Sequence, residues 1–204
     1  MQFGPSRLNL RELKDMEPTG DQHHRRRGDE AGAVLVESAL VFLLLVTLVF
    51  GIIEWGLYMK DANAVTSASR AGARTASALP RQAGYADRAA AAVMTSLTAL
   101  EPNAAEVLWI YRADANGLPD SGGFDTPCRV CYRYTWDAST RSWRQTWAGW
   151  PYSSQVACGG QNSDALGVYV RARHRFFTNF FGRDRTIADR TVMRLEPVPG
   201  QCRP

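Results

Sequence analysis

Residues 33–53 constrain this chain more than any other stretch. They are 21 residues with a single charge, Glu37. As a helix the run spans roughly 31 Å, about the thickness of a bilayer core. A helix packed inside a soluble core keeps a polar face, and this run has none. A secretory signal peptide is the second reading, since a basic flank precedes the run and the small residues Thr66, Ser67, Ala68 and Ser69 follow it. Its apolar core, however, measures about 7–15 residues behind a short leader. A membrane-spanning helix fits better. Glu37 costs on the order of 1–3 kcal/mol to insert, less near the interface than at the centre, so a segment that served only as an anchor has no use for it.

The flanks set an expected orientation. Arg25, Arg26 and Arg27 lie just before the run, whereas Lys60, Arg70 and Arg74 are spread along the far side. Short-range positive charge therefore puts the N-terminus in the cytoplasm and everything after about residue 60 outside. Trp55 and Tyr58 follow the run directly, where an interfacial aromatic belt belongs. Residues 1–32 mix acidic and basic groups with Pro5 and Pro18 and no apolar period, the composition of an unstructured leader. His23 and His24 in that polar tail lack a third ligand and read as solvated, so no metal site is expected.

Beyond the run the helical period continues. No proline interrupts residues 54–79, and small residues (Ala62, Ala64, Ser67, Ala68, Ala71, Gly72, Ala73, Ala76) recur along it. They permit close approach either of the chain's own domain or of another subunit. Pro80 and Gly84 end this helix, and a second one is predicted over 85–100, before Pro102. Strand patterns follow at 107–111, 130–136, 142–147, 167–176 and 186–195, with 137–141 as a hairpin turn. The expected organisation is a leader (1–32), a transmembrane helix (33–53), a helical stem with a second helix (54–100) and an antiparallel β domain (101–204). The fold class is α+β, with a long N-terminal helix leading into an outer domain.

This order, with Gly32 placed five residues before Glu37 at the start of the apolar run, resembles the type IV pilin-like class. More narrowly, Gly32-Ala-Val-Leu-Val-Glu37-Ser-Ala-Leu40 and the Gly51-Ile-Ile-Glu54 behind it resemble the TadE/TadG-like minor pseudopilins of the tight adherence (Tad/Flp) pilus system. The ending, Phe176-Phe-Thr-Asn-Phe-Phe-Gly182 and residues 188–197, is similar to that family as well. Ser38 departs from it, standing where the family usually has an aromatic residue. The resemblance implies cleavage by a prepilin peptidase between Gly32 and Ala33, on the cytoplasmic side, leaving the helix on the mature protein. It also implies that Glu37 pairs with the free amine of Ala33 on a neighbouring subunit. The implied partners are other pilin-like subunits, the peptidase and membrane lipid. The implied place is a bacterial cytoplasmic membrane, crossed once.

Four cysteines, Cys128, Cys131, Cys158 and Cys202, all fall on the expected outer side. An even number confined to an exported domain points to two disulfides, with three connectivities open. The strand layout favours Cys131–Cys158 and Cys128–Cys202, because Cys131 and Cys158 each precede a long strand. Cys128 and Cys131 also have the spacing of a thiol-disulfide oxidoreductase, though at a strand start rather than a helix N-terminus. The charge balance is modest, +4, and all the basic residues except Lys14 and Lys60 are arginine. That bias suits a GC-rich genome more than a nucleic-acid surface, and the arginine–aromatic alternation over 132–152 is that of a half-exposed strand. No phosphate-binding glycine loop, nucleophile elbow or zinc spacing occurs, and His174 has no partner visible in the sequence. The expectation is therefore a non-enzymatic assembly component with no cofactor, nucleic acid or small-molecule substrate. An uncleaved signal-anchored domain that binds a surface ligand is the alternative, followed by an exported CxxC oxidoreductase.

Overall fold

A computed structural model describes residues 22–179 and 181–200. It divides between Phe50 and Gly51 into two units. Helix α1 (Gln22–Ser77) runs through that division. It begins eleven residues before the apolar run, so residues 22–32 are helical where their composition predicted irregular chain. Arg, Glu and Ala are good helix formers, and extending an existing helix needs no new nucleus.

In the first unit, every residue from Gly32 to Leu45 is exposed. Leu35 keeps 71% and Leu44 68% of its surface. Thr47 turns its hydroxyl back onto the Leu43 carbonyl at 2.8 Å, so this polar group is satisfied within the helix itself.

The second unit is the α+β domain. Its stem is the C-terminal part of α1, which ends at Ser77, close to the predicted limit. After the turn around Pro80 comes α2 (Tyr85–Ser96), which starts behind Gly84 at φ 74° and closes with a 3-10 turn (Leu97–Ala99). Five strands follow: β1 (Ala105–Ala113), β2 (Cys131–Asp137), β3 (Ser142–Ala148), β4 (Ala165–Arg175) and β5 (Asp184–Arg194). They form one sheet in the order β3-β2-β1-β4-β5, each neighbouring pair antiparallel. All five predicted strands are present. The β2–β3 hairpin was expected from the turn at 137–141, but the central pairing of β1 with β4 joins residues about 60 positions apart and has no local signal.

Period-two alternation sends each strand's side chains to opposite faces. Leu108, Ile110, Tyr134, Leu166, Val168, Val170 and Ala172 face the helices and form the main core with Val65, Ala68, Ala73, Ala89 and Val93. Fully burying each of the large side chains contributes about 1.5–3 kcal/mol. On α1 the buried positions are Glu54, Asp61, Ala64, Val65, Ala68, Ser69, Gly72, Ala73, Ala76 and Ser77, a seam with helical spacing. The small-residue stripe therefore packs on the chain's own sheet and α2. Gly72 is the tightest point of that seam. A Cβ there would lie 2.6 Å from Val93 Cγ2 on α2 and 3.1 Å from Val168 Cγ1 on β4.

The other face of the sheet is capped by the 114–130 loop. Phe124 from this loop stacks on Tyr169, with centroids 3.8 Å apart, and meets Trp109 and Tyr111. Cys128 and Cys131 lie under the same cluster.

Candidate functional site

Two features of α1 carry chemistry. The first is the start of the apolar run. Gly32, Ala33 and Glu37 are exposed and helical, and a Cβ added at Gly32 would meet nothing within 4 Å. The fold within the described chain thus makes no demand for glycine at position 32, in contrast to Gly72. The helix from Gly32 onward carries a window of mean hydropathy 2.7 with none of it buried. An apolar surface of this extent on a lone helix needs lipid or protein around it.

The second feature lies within the α+β domain, where the stem passes the far end of β4. Descending the seam from Ser69, α1 presents polar groups to the sheet in succession. The Ser69 hydroxyl sits 2.9 Å from Thr191 Oγ1 and donates to Asp189 Oδ2 at 3.3 Å. Asp61 Oδ2 is 2.7 Å from His174 Nδ1, and both side chains are almost fully buried. Lys60 Nζ approaches the other Asp61 oxygen at 3.2 Å. Below this pair, Tyr58 packs its ring against His174 and Phe176. One turn further, Glu54 is buried and accepts two hydrogen bonds from Thr178: from the amide at 2.8 Å and from the hydroxyl. A carboxylate, a carboxylate–imidazole pair and a hydroxyl therefore clip the stem to β4, β5 and the loop between them. Paired polar groups inside a core favour one register of helix on sheet, because any shift strands them unpaired.

His174 thus has a partner, Asp61, 113 positions away in the chain. Its inward direction was legible, since it shares parity with Val168, Val170 and Ala172 on β4; the partner was not. The dyad is sealed between Tyr58 and Phe176, so its geometry is that of a clip rather than of a base facing substrate. Among the described residues no group of three or more His, Cys, Asp or Glu is placed to hold a metal.

Elsewhere on the helix-facing side, Tyr134 donates to Asp87 Oδ1 at 2.9 Å. Burial, followed by that hydrogen bond and the Asp87 charge, pushes the Tyr134 hydroxyl well above its ordinary pKa. Burial likewise pushes Tyr111 up to about 12. Both phenols remain neutral structural donors. Tyr132, Tyr134 and Trp136 turn toward the helices, while Arg133 turns to the other face and lies 5.5 Å over Trp147. The sequence alternation of aromatics and arginines is thereby split between two faces of the sheet.

The cysteines require a correction. Cys128 bonds to Cys131, with Cα atoms 6.0 Å apart, so the expected Cys131–Cys158 and Cys128–Cys202 pairs do not form. Cys158 is itself disulfide-bonded, and Cys202 lies outside the described residues. The physical reason is the face of the sheet. Cys131 opposes Tyr111 in the register of β1 and β2 and points into the cluster capped by Phe124. Ala157, by contrast, is part of the helix-side core, and its carbonyl accepts from the Val198 amide at 2.9 Å. The expectation placed Cys131 and Cys158 at one end of the sheet without distinguishing its two sides. A local Cys128–Cys131 bond has the connectivity of a thiol oxidoreductase. Here, though, the two residues keep only 2% and 0% of their surface, and thiol exchange requires access to a sulfur. The bond acts as a staple at the start of β2.

No curated protein matches the chain, and no solved structure matches it. Residues 32–74 match the TadE-like protein family. The matched segment begins at the glycine before the apolar run, contains Glu37, Glu54 and Asp61, and ends within the buried seam; α2 and the whole sheet lie outside it. This similarity over residues 32–74 agrees with the resemblance carried by Gly32, Glu37 and Glu54.

Proposed function

We propose that this chain is a non-enzymatic, membrane-anchored minor pilin-like subunit that takes part in assembling a Tad-type pilus or secretion apparatus. One observation carries the reading: the TadE-like segment begins at a glycine the fold does not need, at the head of an apolar helix exposed along its length, with Glu37 its only charge. A prepilin peptidase acting between Gly32 and Ala33 gives that glycine a use.

In this reading residues 33–53 cross a bacterial cytoplasmic membrane once, with the arginine-rich flank inside and the α+β domain outside. Cleavage gives Ala33 a free amine, whose ordinary pKa of about 7.7–8.0 leaves it largely protonated. Glu37 of one subunit pairs with that ammonium on the next. Taking an unpaired charge out of water is costly, and an ammonium partner offsets that cost. The carboxylate then serves assembly rather than insertion. The seam that holds the stem to its own sheet leaves subunit packing to the part of the helix before Glu54.

Sequencing the N-terminus of the protein recovered from membranes tests the reading. A start at Ala33 supports it. A start beyond Glu54 makes the run a signal peptide, and an intact Met1 leaves a plain anchored domain, the alternative in which the outer domain binds a surface ligand.

A further inference from the structure

The loop between β4 and β5 is built unlike the others in the domain. Phe177, at 77%, is the most exposed large apolar side chain among the described residues, above even the leucines of the apolar run. Phe181 is 47% exposed. The loop that presents them is nevertheless a closed turn. The Phe176 amide donates to Arg183 O at 3.0 Å and the Gly182 amide to Asn179 O at 3.2 Å, with Asn179 and Gly182 both at positive φ. Thr178, in its middle, is clipped to Glu54 through amide and hydroxyl. An apolar ring held outward on a fixed turn is a surface for contact.

Its position indicates with what. Glu54, the residue that holds the turn, follows Ile53, the last residue of the apolar run. Ile52, Ile53 and Trp55 on the same stretch of helix are exposed as well. Trp55, Tyr58, Phe176, Phe181 and Arg185 line a cleft of about 200 Å3. Arg185 and, on the same turn, Arg183 are exposed. The carboxylates of the adjoining stem are already engaged: Glu54 by Thr178, and Asp61 by His174 and Lys60. Exposed aromatics beside exposed arginines, one residue past the end of a span, match the chemistry of a membrane interface with anionic headgroups.

We propose that the β4–β5 turn seats Phe177 and Phe181 in the interface of the same bilayer that residues 33–53 cross, with Arg183 and Arg185 against lipid phosphates. This makes a second membrane contact for the α+β domain, beside the end of the span. It rests on residues 33–53 being a membrane span, and the test separates the two.

The full-length protein is reconstituted in vesicles of phosphatidylcholine with phosphatidylglycerol. A nitroxide is attached through p-acetylphenylalanine at position 177, and separately at position 43 in the apolar run and at position 139 in the β2–β3 turn. Collisional relaxation by oxygen and by a nickel chelate is then measured at each. The expected result is oxygen dominating at 43 and 177 and the nickel chelate at 139, so the logarithm of their ratio changes sign between 177 and 139. Nickel dominance at 177 with oxygen dominance at 43 would overturn the loop contact while leaving the span intact. Nickel dominance at 43 would overturn the span itself, and the loop contact with it. Shielding of 177 from both reagents means that protein covers the turn, which also overturns the proposal. In vesicles of phosphatidylcholine alone the oxygen excess at 177 should shrink, and an unchanged value would remove the arginines' part.

Discussion

Gly72→Ala probes the place where α1, α2 and β4 meet. The added Cβ would sit 2.6 Å from Val93 Cγ2 and 3.1 Å from Val168 Cγ1, against an ordinary contact of 3.4–4 Å. Val93 and Val168 are both fully buried, so neither has free space to retreat into. Relieving the overlap moves α2 or the Val93 rotamer by about 1 Å. Overpacking of this kind costs about 1–3 kcal/mol. Replacing glycine by alanine in a helix interior returns up to about 1 kcal/mol. The net is a destabilisation of about 1 kcal/mol, or about 2–4 °C in melting temperature for a protein of this size. In a Val93→Ala background the nearer clash disappears, and Gly72→Ala should become neutral or stabilising by up to about 1 kcal/mol. The four proteins form a double-mutant cycle whose coupling energy should be about 1–3 kcal/mol. Thermal unfolding of the full chain in detergent micelles, followed by near-ultraviolet circular dichroism, measures it. If Gly72→Ala stabilises both backgrounds equally, the packing argument is wrong and the helix does not lie on α2 at this point.

Glu37→Ala should leave membrane insertion intact or improved, while removing incorporation into assemblies and crosslinking to partner pilins; normal assembly by the variant would refute the pairing with Ala33. Breaking the buried clip singly, by Asp61→Leu or His174→Leu, should cost about 3–5 kcal/mol, whereas the double substitution should cost far less because no polar group is left stranded; equal losses in single and double variants, read from the same melts, would show that the pair acts only by its volume. Non-reducing peptide mapping should recover a Cys128–Cys131 link. Replacing both residues by serine should cost about 2 kcal/mol for so short a loop, and a link from Cys131 to Cys158 instead would contradict the local Cys128–Cys131 bond.

Much of this architecture was written in local pattern. The apolar run, the break at Pro80 and Gly84, and the five strands are each set within a few residues by hydrophobic period and turn chemistry. The same holds for the candidate site's first part, since the spacing from Gly32 to Glu37 is a property of adjacent positions. Hydrophobic parity on β4 already turned His174 inward. What parity does not specify is the partner. Asp61 lies on a helix with helical spacing, and only the register of that helix on the sheet brings the two together.

The small-residue stripe shows the same division. Its composition allowed either a partner subunit or the chain's own sheet, and the choice fell to tertiary packing, where Gly72 meets Val93 and Val168. The cysteines were misjudged for a related reason. Strand order along the chain places residues at an end of a sheet, but the face they point to depends on how β1 comes to lie between β2 and β4. The amino-acid sequence by itself determined that this chain carries a membrane-length helix with one charge at its head and an α+β domain behind it, because those features depend on neighbours in the chain. Which buried groups pair, which face holds the disulfide and where Phe177 is displayed depend on contacts between residues far apart in sequence. Only the assembled core, which selects one register among many with the same local preferences, decided them.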